Sequence, residues 1–414
     1  MDIIVGAGVT GLSYACFCGH DEYKIIEKDT QIGGYCKTIK QDGFTWDYSG
    51  HFFHFNNDEI KKYLLERMQH EEILSVIKNS QIQINGYYVD FPFQKNIHQL
   101  SKEDFIKCLY HLYFKSDKKE RFSSFKEMIY AKFGQGIAEL FLIPYNEKLY
   151  ACDLEELDVD AMGRFFPYAD IEEIIRNFQD SNNTSYNSTF LYPKNGAIAY
   201  INSLYSRVIQ ENVSLSSDLE EIDLKNKRAL INGSWESYDR LISTMPFPKL
   251  LDLCQVEYDK SVYSWNKVLV YNLGFHKKGK DTTNHWVYFP ERKYCFYRIG
   301  YYDNIFGSDR MSLYVELGFK REDEIDHDYW LQQVLEDLKN ADVIQDHELV
   351  SHVSLVMDPA YVHVKRESEE DKIRLMNKLE EFGVYSAGRY GGWRYCSIED
   401  NIIESKVLAK KLNG

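Results

Sequence analysis

The sequence contains no apolar run of about 18 residues, the length that a membrane-spanning helix requires, so we expect no transmembrane segment. An apolar segment begins within the first few residues, so we expect no signal peptide. Basic residues are outnumbered: 49 Lys and Arg stand against 64 Asp and Glu, for a net charge of −15. This charge argues against a general role on nucleic acids or on membrane surfaces.

Signatures of metal binding and of nucleophilic catalysis are absent as well. The eight cysteines lack the paired spacing of zinc sites, and Cys16 and Cys18 lie two apart on a predicted helix, where they face different directions. We expect no metal, and we interpret the cysteines as reduced thiols of a cytoplasmic protein. No Ser/His/Asp or Cys/His arrangement indicates a side-chain nucleophile. Any phosphate site must be a local cluster of cations and hydroxyls within an acidic protein.

The N-terminal segment has the pattern of a dinucleotide-binding βαβ unit. Residues 3–5, Ile-Ile-Val, lead directly into Gly6-Ala7-Gly8-Val9-Thr10-Gly11, and a second apolar segment ends in Glu27. In such a unit, Gly6 permits the tight turn, Gly8 the approach of a pyrophosphate, and Gly11 the packing of the helix on the sheet. The phosphates would bind the free N–H groups of the helix N-terminus, and Glu27 would accept hydrogen bonds from a ribose 2′-OH.

A second glycine pair and an aromatic stretch follow this unit. Gly33 and Gly34 are adjacent, and residues 43–54 read GFTWDYSGHFFH. Taken alone, these residues predict a glycine turn followed by an aromatic β-hairpin. The two histidines, His51 and His54, could then be core residues with satisfied hydrogen bonds.

The next part of the chain predicts helices. Apolar residues recur at helical spacing through residues 101–160, with Ser101 in a capping position, and Pro144 and Pro167 mark predicted breaks. A polar loop is predicted at residues 180–188.

Strand patterns dominate after residue 213. Asn232-Gly233 is typical of a β-hairpin turn, and residues 239–246 predict a further strand. Residues 262–318 are rich in Tyr, Val, Phe and Trp with alternating character, which predicts a second, antiparallel sheet.

Together, the N-terminal unit, the Gly33-Gly34 turn and the aromatic stretch resemble the flavoprotein superfamily of amine oxidases, protoporphyrinogen oxidase, phytoene desaturase and UDP-galactopyranose mutase. The resemblance implies FAD as the resident cofactor, with Gly33 and Gly34 along its flavin end. It also implies that His51 contacts the isoalloxazine. Residues 239–246 would return to the cofactor domain, and the final loop and helix would close over the flavin.

Three later segments resemble the UDP-galactopyranose mutases in particular: WVYFPERKYCFYR at 286–298, MDPAY at 357–361 and GRYGGWRY at 388–395. The match implies that Arg298, Tyr361 and Tyr395 bind the diphosphate of the substrate. Together with His51 they form the predicted catalytic set. Arg389 would border the flavin.

The resemblance extends to further residues. Trp393 and Arg164 are assigned to the substrate, and Glu399 and Asp400 to the cofactor. Bacterial mutases carry two closely spaced arginines after their helical region, whereas the comparable stretch here offers only Arg164. Structural interpretations stay open: the Trp-Arg-Tyr triplet could be cross-strand packing, and Arg298 could pair with a surface carboxylate.

The resemblance implies an α/β fold in three parts. A discontinuous Rossmann-like FAD-binding domain would take residues 1–80, 188–260 and 380–414. A helical insertion domain would take residues 95–187, and an antiparallel-sheet substrate domain residues 81–94 and 261–379.

The implied function is that of a flavin-dependent isomerase of cell-surface polysaccharide biosynthesis, which interconverts pyranose and furanose forms of a nucleotide-linked hexose such as galactose through N5 of reduced FAD. NAD(P)H is the expected external reductant, and a homo-oligomer is possible. Two alternatives are a flavin oxidase or desaturase of a small molecule and a non-enzymatic binding protein like the Rab GDP-dissociation inhibitors. An oxidase or desaturase would not need the diphosphate clamp, by which we mean Arg298, Tyr361 and Tyr395. The intact glycine turn with Glu27 argues against a binding protein without flavin.

Overall fold

The computed structural model of the protein describes residues 1–115, 121–179, 183 and 188–413. The strands, in chain order, are β1 (Asp2–Val5), β2 (Tyr23–Ile26), β3 (Thr38–Gln41), β4 (Phe44–Asp47), β5 (Ile73–Ile77), β6 (Ser80–Ile84), β7 (Tyr87–Asp90), β8 (Thr189–Pro193), β9 (Val213–Ser214), β10 (Leu219–Asp223), β11 (Arg228–Ile231), β12 (Ser234–Ser237), β13 (Arg240–Ser243), β14 (Ser264–Phe275), β15 (Trp286–Tyr288), β16 (Arg298–Tyr301), β17 (Ser312–Lys320), β18 (Leu349–Met357), β19 (Val362–His363) and β20 (Val384–Ser386).

The helices are α1 (Val9–Phe17), α2 (Asp58–Leu65), α3 (Lys102–Tyr113), α4 (Phe125–Ile137), α5 (Ile143–Tyr150), α6 (Ile171–Asn177), α7 (Ile198–Tyr205), α8 (Phe247–Leu253), α9 (Tyr302–Phe306), α10 (His327–Asn340), α11 (Arg366–Glu380), α12 (Gly388–Gly391) and α13 (Ile398–Leu412). Most of the polar loop predicted at 180–188 lies outside the described residues.

A five-stranded parallel sheet, in the order β20-β13-β1-β2-β9, forms the Rossmann-like part of the molecule. Every residue of its central strand, β1, is buried, as expected for a parallel strand that is covered on both faces. Helices α1, α7 and α13 pack together beside it. Strand β13 pairs with β1, so the return of residues 239–246 to this sheet is confirmed.

The second large sheet runs β18-β14-β17-β16-β15-β6-β7, and all its pairs are antiparallel except β15 with β6. Its central strands β14 and β17 are almost continuously buried. The sheet predicted for residues 262–318 is therefore present. Its strands β16 and β17 put Arg298 directly opposite Glu316.

The helical segment follows its local sequence signals with one exception. Ser101 caps α3 as predicted, since its side chain accepts the N–H of Asp104 at 3.2 Å. The break predicted at Pro144 is wrong. A π-helical turn at Ala138–Leu142 leads directly into α5, and Pro144 lies in the first turn of α5, where a missing N–H costs little.

In the part of the chain that the structure describes, no helix combines the length and the apolar composition needed to cross a membrane.

Candidate active site

A cleft of about 870 Å³ lies between the parallel sheet and the antiparallel sheet. The N-terminal glycine turn and the Gly33-Gly34 turn line it, and so do residues of β15, β16 and β17 and of the segments around Tyr361 and Tyr395. The cleft therefore brings together most of the residues that the sequence assigned separately to a cofactor and to a substrate.

The glycine turn has the backbone that its sequence predicts. Gly6 has φ +104°, a conformation that L side chains rarely adopt, and a Cβ on Gly11 would lie 1.9 Å from the carbonyl oxygen of Gly6. Gly11 lies behind the cleft and permits close packing of α1 on β1. Gly8 and Gly34 face each other inside the cleft, where a Cβ on Gly8 would lie 3.9 Å from the Cα of Gly34.

The backbone around these glycines suits a dinucleotide. The N–H of Gly33 donates to the carbonyl of Ala7 at 2.9 Å, which joins the two turns into one surface without side chains. The N-cap residue of α1, Gly8, has no side chain that could cap the helix, so the first N–H groups of α1 can bind phosphate oxygens.

Glu27 lies at the end of β2 and lines the cleft. Its carboxylate is buried and accepts the N–H groups of Ala7 at 2.8 Å and Asp29 at 2.9 Å. These bonds fix the side chain beside the glycine turn, the position predicted for a ribose contact. Next to it, the buried Lys37 pairs with Asp29. Lys37 also lines the cleft, although no sequence motif pointed to it.

His51 and His54 both line the cleft and are both uncharged near neutral pH. Burial lowers the pKa of His51 to about 4, and Arg389 acts in the same direction. Burial also lowers the pKa of His54 to about 4, and its Nδ1 lies 2.9 Å from the carbonyl oxygen of Thr189. Among the described residues, the buried Nδ1 of His51 has no hydrogen-bond partner. Such an atom requires a partner, which a bound ligand could supply.

Two arginines and two tyrosines form a cationic cluster in the same cleft. The rings of Tyr361 and Tyr395 stack with centroids 5.9 Å apart and planes within 10°. The guanidinium of Arg389 lies 4.6 Å from the Tyr395 centroid and 5.3 Å from that of Tyr361. Burial raises the pKa of Tyr361 above its ordinary value, so its hydroxyl keeps its proton and can donate. Arg298 completes the cluster and pairs with the buried carboxylate of Glu316.

Two residues predicted to bind the substrate lie elsewhere. Trp393 is fully buried and is absent from the cleft lining; its ring packs edge-on against Trp265, at 5.6 Å, which does line the cleft. Arg164 is half exposed and its guanidinium binds Asp400 at 2.6 Å, while the neighbouring Phe165 lines the cleft.

Glu399 and Asp400, predicted to bind the cofactor, do not line the cleft either. Glu399 accepts the N–H groups of Asn56 and Asn57 at 3.0 and 2.8 Å, and Asp400 completes the N-terminal cap of α13. The helical period explains this placement. The lining residues Ile398 and Asn401 are three apart and share one face of α13, whereas the two acids lie on other faces.

Several lining residues were missed because their signals are not local. Asn401 accepts both the backbone N–H of Arg389, at 2.8 Å, and the hydroxyl of Thr10, at 3.2 Å, which links the cationic cluster to α1. Tyr314 lies opposite Gly300 in the register of β16 and β17, and a Cβ on Gly300 would meet its ring at 1.8 Å. Only the pairing of distant strands shows this relation.

No group of three or more His, Cys, Asp or Glu within the described residues could bind a metal ion.

Comparison with known proteins relates this geometry to known folds. Residues 4–66 match the family of NAD(P)-binding Rossmann-like domains. A solved structure of reduced UDP-galactopyranose mutase superposes with a TM-score of 0.92 at 24% identity, covering 100% of this chain and 93% of that one. The chain has the fold of UDP-galactopyranose mutase. The predicted resemblance and the predicted α/β fold class are thereby confirmed.

Other solved structures share this fold with different activities. A putative protoporphyrinogen oxidase from Exiguobacterium sp. 255-15 matches with a TM-score of 0.79 and 17% identity, covering 99% of this chain and 98% of that one. A putrescine oxidase bound to putrescine matches with a TM-score of 0.64 and 12% identity, covering 100% and 98%. The fold alone therefore does not indicate which reaction the protein catalyses, and this must be inferred from the residues of the cleft.

Proposed function

We propose that the protein binds FAD and is a mutase that interconverts pyranose and furanose forms of a nucleotide-linked hexose. The observation that carries this proposal is the shared cleft, in which the glycine turns and the cluster of Arg298, Arg389, Tyr361 and Tyr395 meet. A dinucleotide and a diphosphate-bearing substrate can thus bind next to each other.

The cofactor side of the cleft matches FAD. The turn at Gly6 and Gly8 and the open N-terminus of α1 would bind its diphosphate, and Glu27 would bind its ribose. Gly33, Gly34 and His51 would border its ring system, where the unpaired Nδ1 of His51 is available to a ring heteroatom. When bound and reduced, FAD supplies a nucleophilic N5, and NAD(P)H is the proposed reductant.

The substrate side would retain the diphosphate while the sugar changes its ring size. Arg298 offers charge-assisted hydrogen bonds, each worth about 1.5–3 kcal/mol net, and Tyr361 and Tyr395 offer hydroxyl donors. The Arg389 guanidinium beside both tyrosine rings adds positive charge to the same wall. His51 is uncharged near neutral pH, because burial lowers its pKa to about 4. It would therefore be a polar but uncharged neighbour of the flavin ring system, while the positive charge of the cleft would lie on the arginines beside the diphosphate.

This cluster favours a mutase over an amine oxidase. Glu316 offsets the charge of Arg298, so the net positive charge of this wall comes mainly from Arg389. That charge would repel a cationic amine such as putrescine, whereas it attracts the diphosphate of a nucleotide sugar. Displacing and recapturing a diphosphate requires such a clamp, because a free diphosphate would diffuse away.

The proposal is tested by screening nucleotide sugars against the FAD-loaded protein by native mass spectrometry, with Arg298→Ala as the matched variant. We expect one bound FAD per chain, and binding of a nucleotide sugar that falls by one to two powers of ten in the variant, at ~1.4 kcal/mol per tenfold. A protein that takes up no FAD, or a variant that loses FAD but keeps nucleotide-sugar affinity, would contradict it.

A further inference from the structure

Glu316 lies directly behind Arg298 in the wall of the cleft. The two residues face each other across β16 and β17, and the Glu316 side chain is only 1% exposed. Arg298 Nε donates to Oε2 at 2.5 Å, and Nη2 donates to Oε1 at 2.9 Å. Among the described residues, these are the hydrogen bonds that the guanidinium makes. The carboxylate therefore occupies one complete edge of the guanidinium.

The occupied edge determines which donors stay available. A guanidinium has five N–H donors arranged in a fixed plane. Glu316 uses the Nε–Nη2 edge, which leaves the edge formed by Nη1 and the second Nη2 proton. Arg298 lines the cleft and Glu316 does not, so the available edge belongs to the cleft side. This edge has the geometry that binds two phosphate oxygens at once.

A third contact connects this pair to another part of the chain. The hydroxyl of Ser49 donates to Oε1 of Glu316. Ser49 is two residues before His51, and the N–H of His51 donates to the Ser49 carbonyl at 2.7 Å. Glu316 thus links the arginine on the substrate side to the histidine loop on the cofactor side.

We propose that Glu316 is a positioning residue that orients Arg298 toward the diphosphate of the substrate and, through Ser49, couples that orientation to the loop carrying His51. The inference rests on the proposed function, because it requires a diphosphate on Arg298. If Glu316 only formed an ion pair within the sheet, removal of its negative charge would leave pyrophosphate binding unchanged or strengthen it, because the carboxylate repels an anion. A positioning role predicts weaker binding instead. The sign of the change in anion affinity therefore separates the two roles.

The test measures binding of inorganic pyrophosphate to FAD-loaded protein by titration calorimetry. Glu316→Gln keeps the shape of the side chain and one acceptor oxygen but removes the charge that fixes the guanidinium. We expect it to weaken pyrophosphate binding about tenfold, equivalent to ~1.4 kcal/mol, at unchanged FAD content. In an Arg298→Ala background the same substitution should change binding less than about twofold, because coupled residues are not additive. Glu370→Gln, on an exposed helix face, is the control and should be silent.

Each outcome is decisive. Wild-type or tighter affinity in Glu316→Gln, or fully additive effects in the double variant, would overturn the positioning role. If Arg298→Ala alone leaves pyrophosphate binding unchanged, the proposed diphosphate clamp itself fails, which distinguishes that failure from the first.

If the Glu316→Gln protein does not fold, a second variant still tests the link between Glu316 and the His51 loop. Ser49→Ala removes one hydroxyl and leaves the Arg298–Glu316 pair intact. We expect it to weaken pyrophosphate binding about threefold, and wild-type affinity would overturn the coupling to the His51 loop.

Discussion

Removal of a single hydroxyl, that of Tyr395, would show whether this residue only packs in the cleft wall or takes part in catalysis. Its ring stacks on Tyr361 and lies under the Arg389 guanidinium, and its side chain lines the cleft. A donor aimed at the phosphate that gains charge as the anomeric bond breaks stabilises the transition state more than the ground state. We expect Tyr395→Phe to lower kcat by roughly 10- to 100-fold with a much smaller change in substrate affinity.

Single-turnover kinetics on the reduced enzyme would measure this effect. Tyr110→Phe, on the exposed face of α3, removes a comparable hydroxyl far from the cleft lining and is the matched control. A Tyr395→Phe enzyme with wild-type rate and affinity would show that the residue only packs.

At the scale of elements, local signals predicted structure well. The Gly6–Gly11 turn and the Asn232-Gly233 hairpin depend on backbone conformations that few residues tolerate, and both were found where predicted: Asn232 and Gly233 have φ +48° and +75° between β11 and β12. Non-local relations could not be derived in this way. The Ser49–Glu316 contact joins residues 267 apart, and the face of α13 toward the cleft depends on its packing against α1.

The predicted limits of the three domains, and the cofactor and substrate roles of individual residues, stay predictions. The parallel sheet does take its strands from the three separate regions that the sequence assigned to the cofactor domain. Four assigned ligands lie away from the cleft lining and are therefore the weakest of the set: Arg164, Trp393, Glu399 and Asp400.

The glycine turn allows folding and cofactor binding to be separated. A Cβ on Gly8 would meet only ordinary contacts, the nearest at 3.9 Å, whereas one on Gly11 would lie 1.9 Å from the Gly6 carbonyl oxygen. We expect Gly8→Ala to leave the melting temperature of the FAD-free protein unchanged while weakening FAD binding. Gly11→Ala should lower both. Thermal melts without FAD and fluorimetric FAD titrations would check this, and an unstable FAD-free Gly8→Ala protein would contradict the account of the turn.

At the scale of the whole molecule, buried histidines should control stability in mild acid. Burial lowers the pKa values of His51, His54 and His285 to about 4, below the unfolded value of about 6.5. Their contribution to stability is therefore complete above about pH 6.5 and is lost as the pH falls toward 4. Burial raises the pKa values of Asp47 and Asp303 to about 6, so these two carboxyls act in the opposite direction over a similar range.

The pKa shifts of the three histidines and of the two carboxyls are similar in size, but they change the free energy of unfolding in opposite directions. Because the histidines outnumber the carboxyls, we expect a net loss of stability on acidification. We expect the free energy of unfolding of the FAD-free protein, measured by urea denaturation, to fall between pH 7.5 and pH 5. His54→Gln should make this decline shallower. A free energy that rises over the same interval would contradict these protonation states.

The most direct test of the proposed reaction is an anaerobic assay of the FAD-loaded protein with UDP-galactopyranose, with the flavin either oxidised or reduced by dithionite. Product would be identified by chromatography, and the flavin spectrum would be recorded before and after many turnovers. We expect UDP-galactofuranose from the reduced protein alone, with the flavin still reduced at the end. Equal turnover by oxidised flavin, or a stoichiometric change in the redox state of flavin and substrate, would contradict it and favour an oxidase.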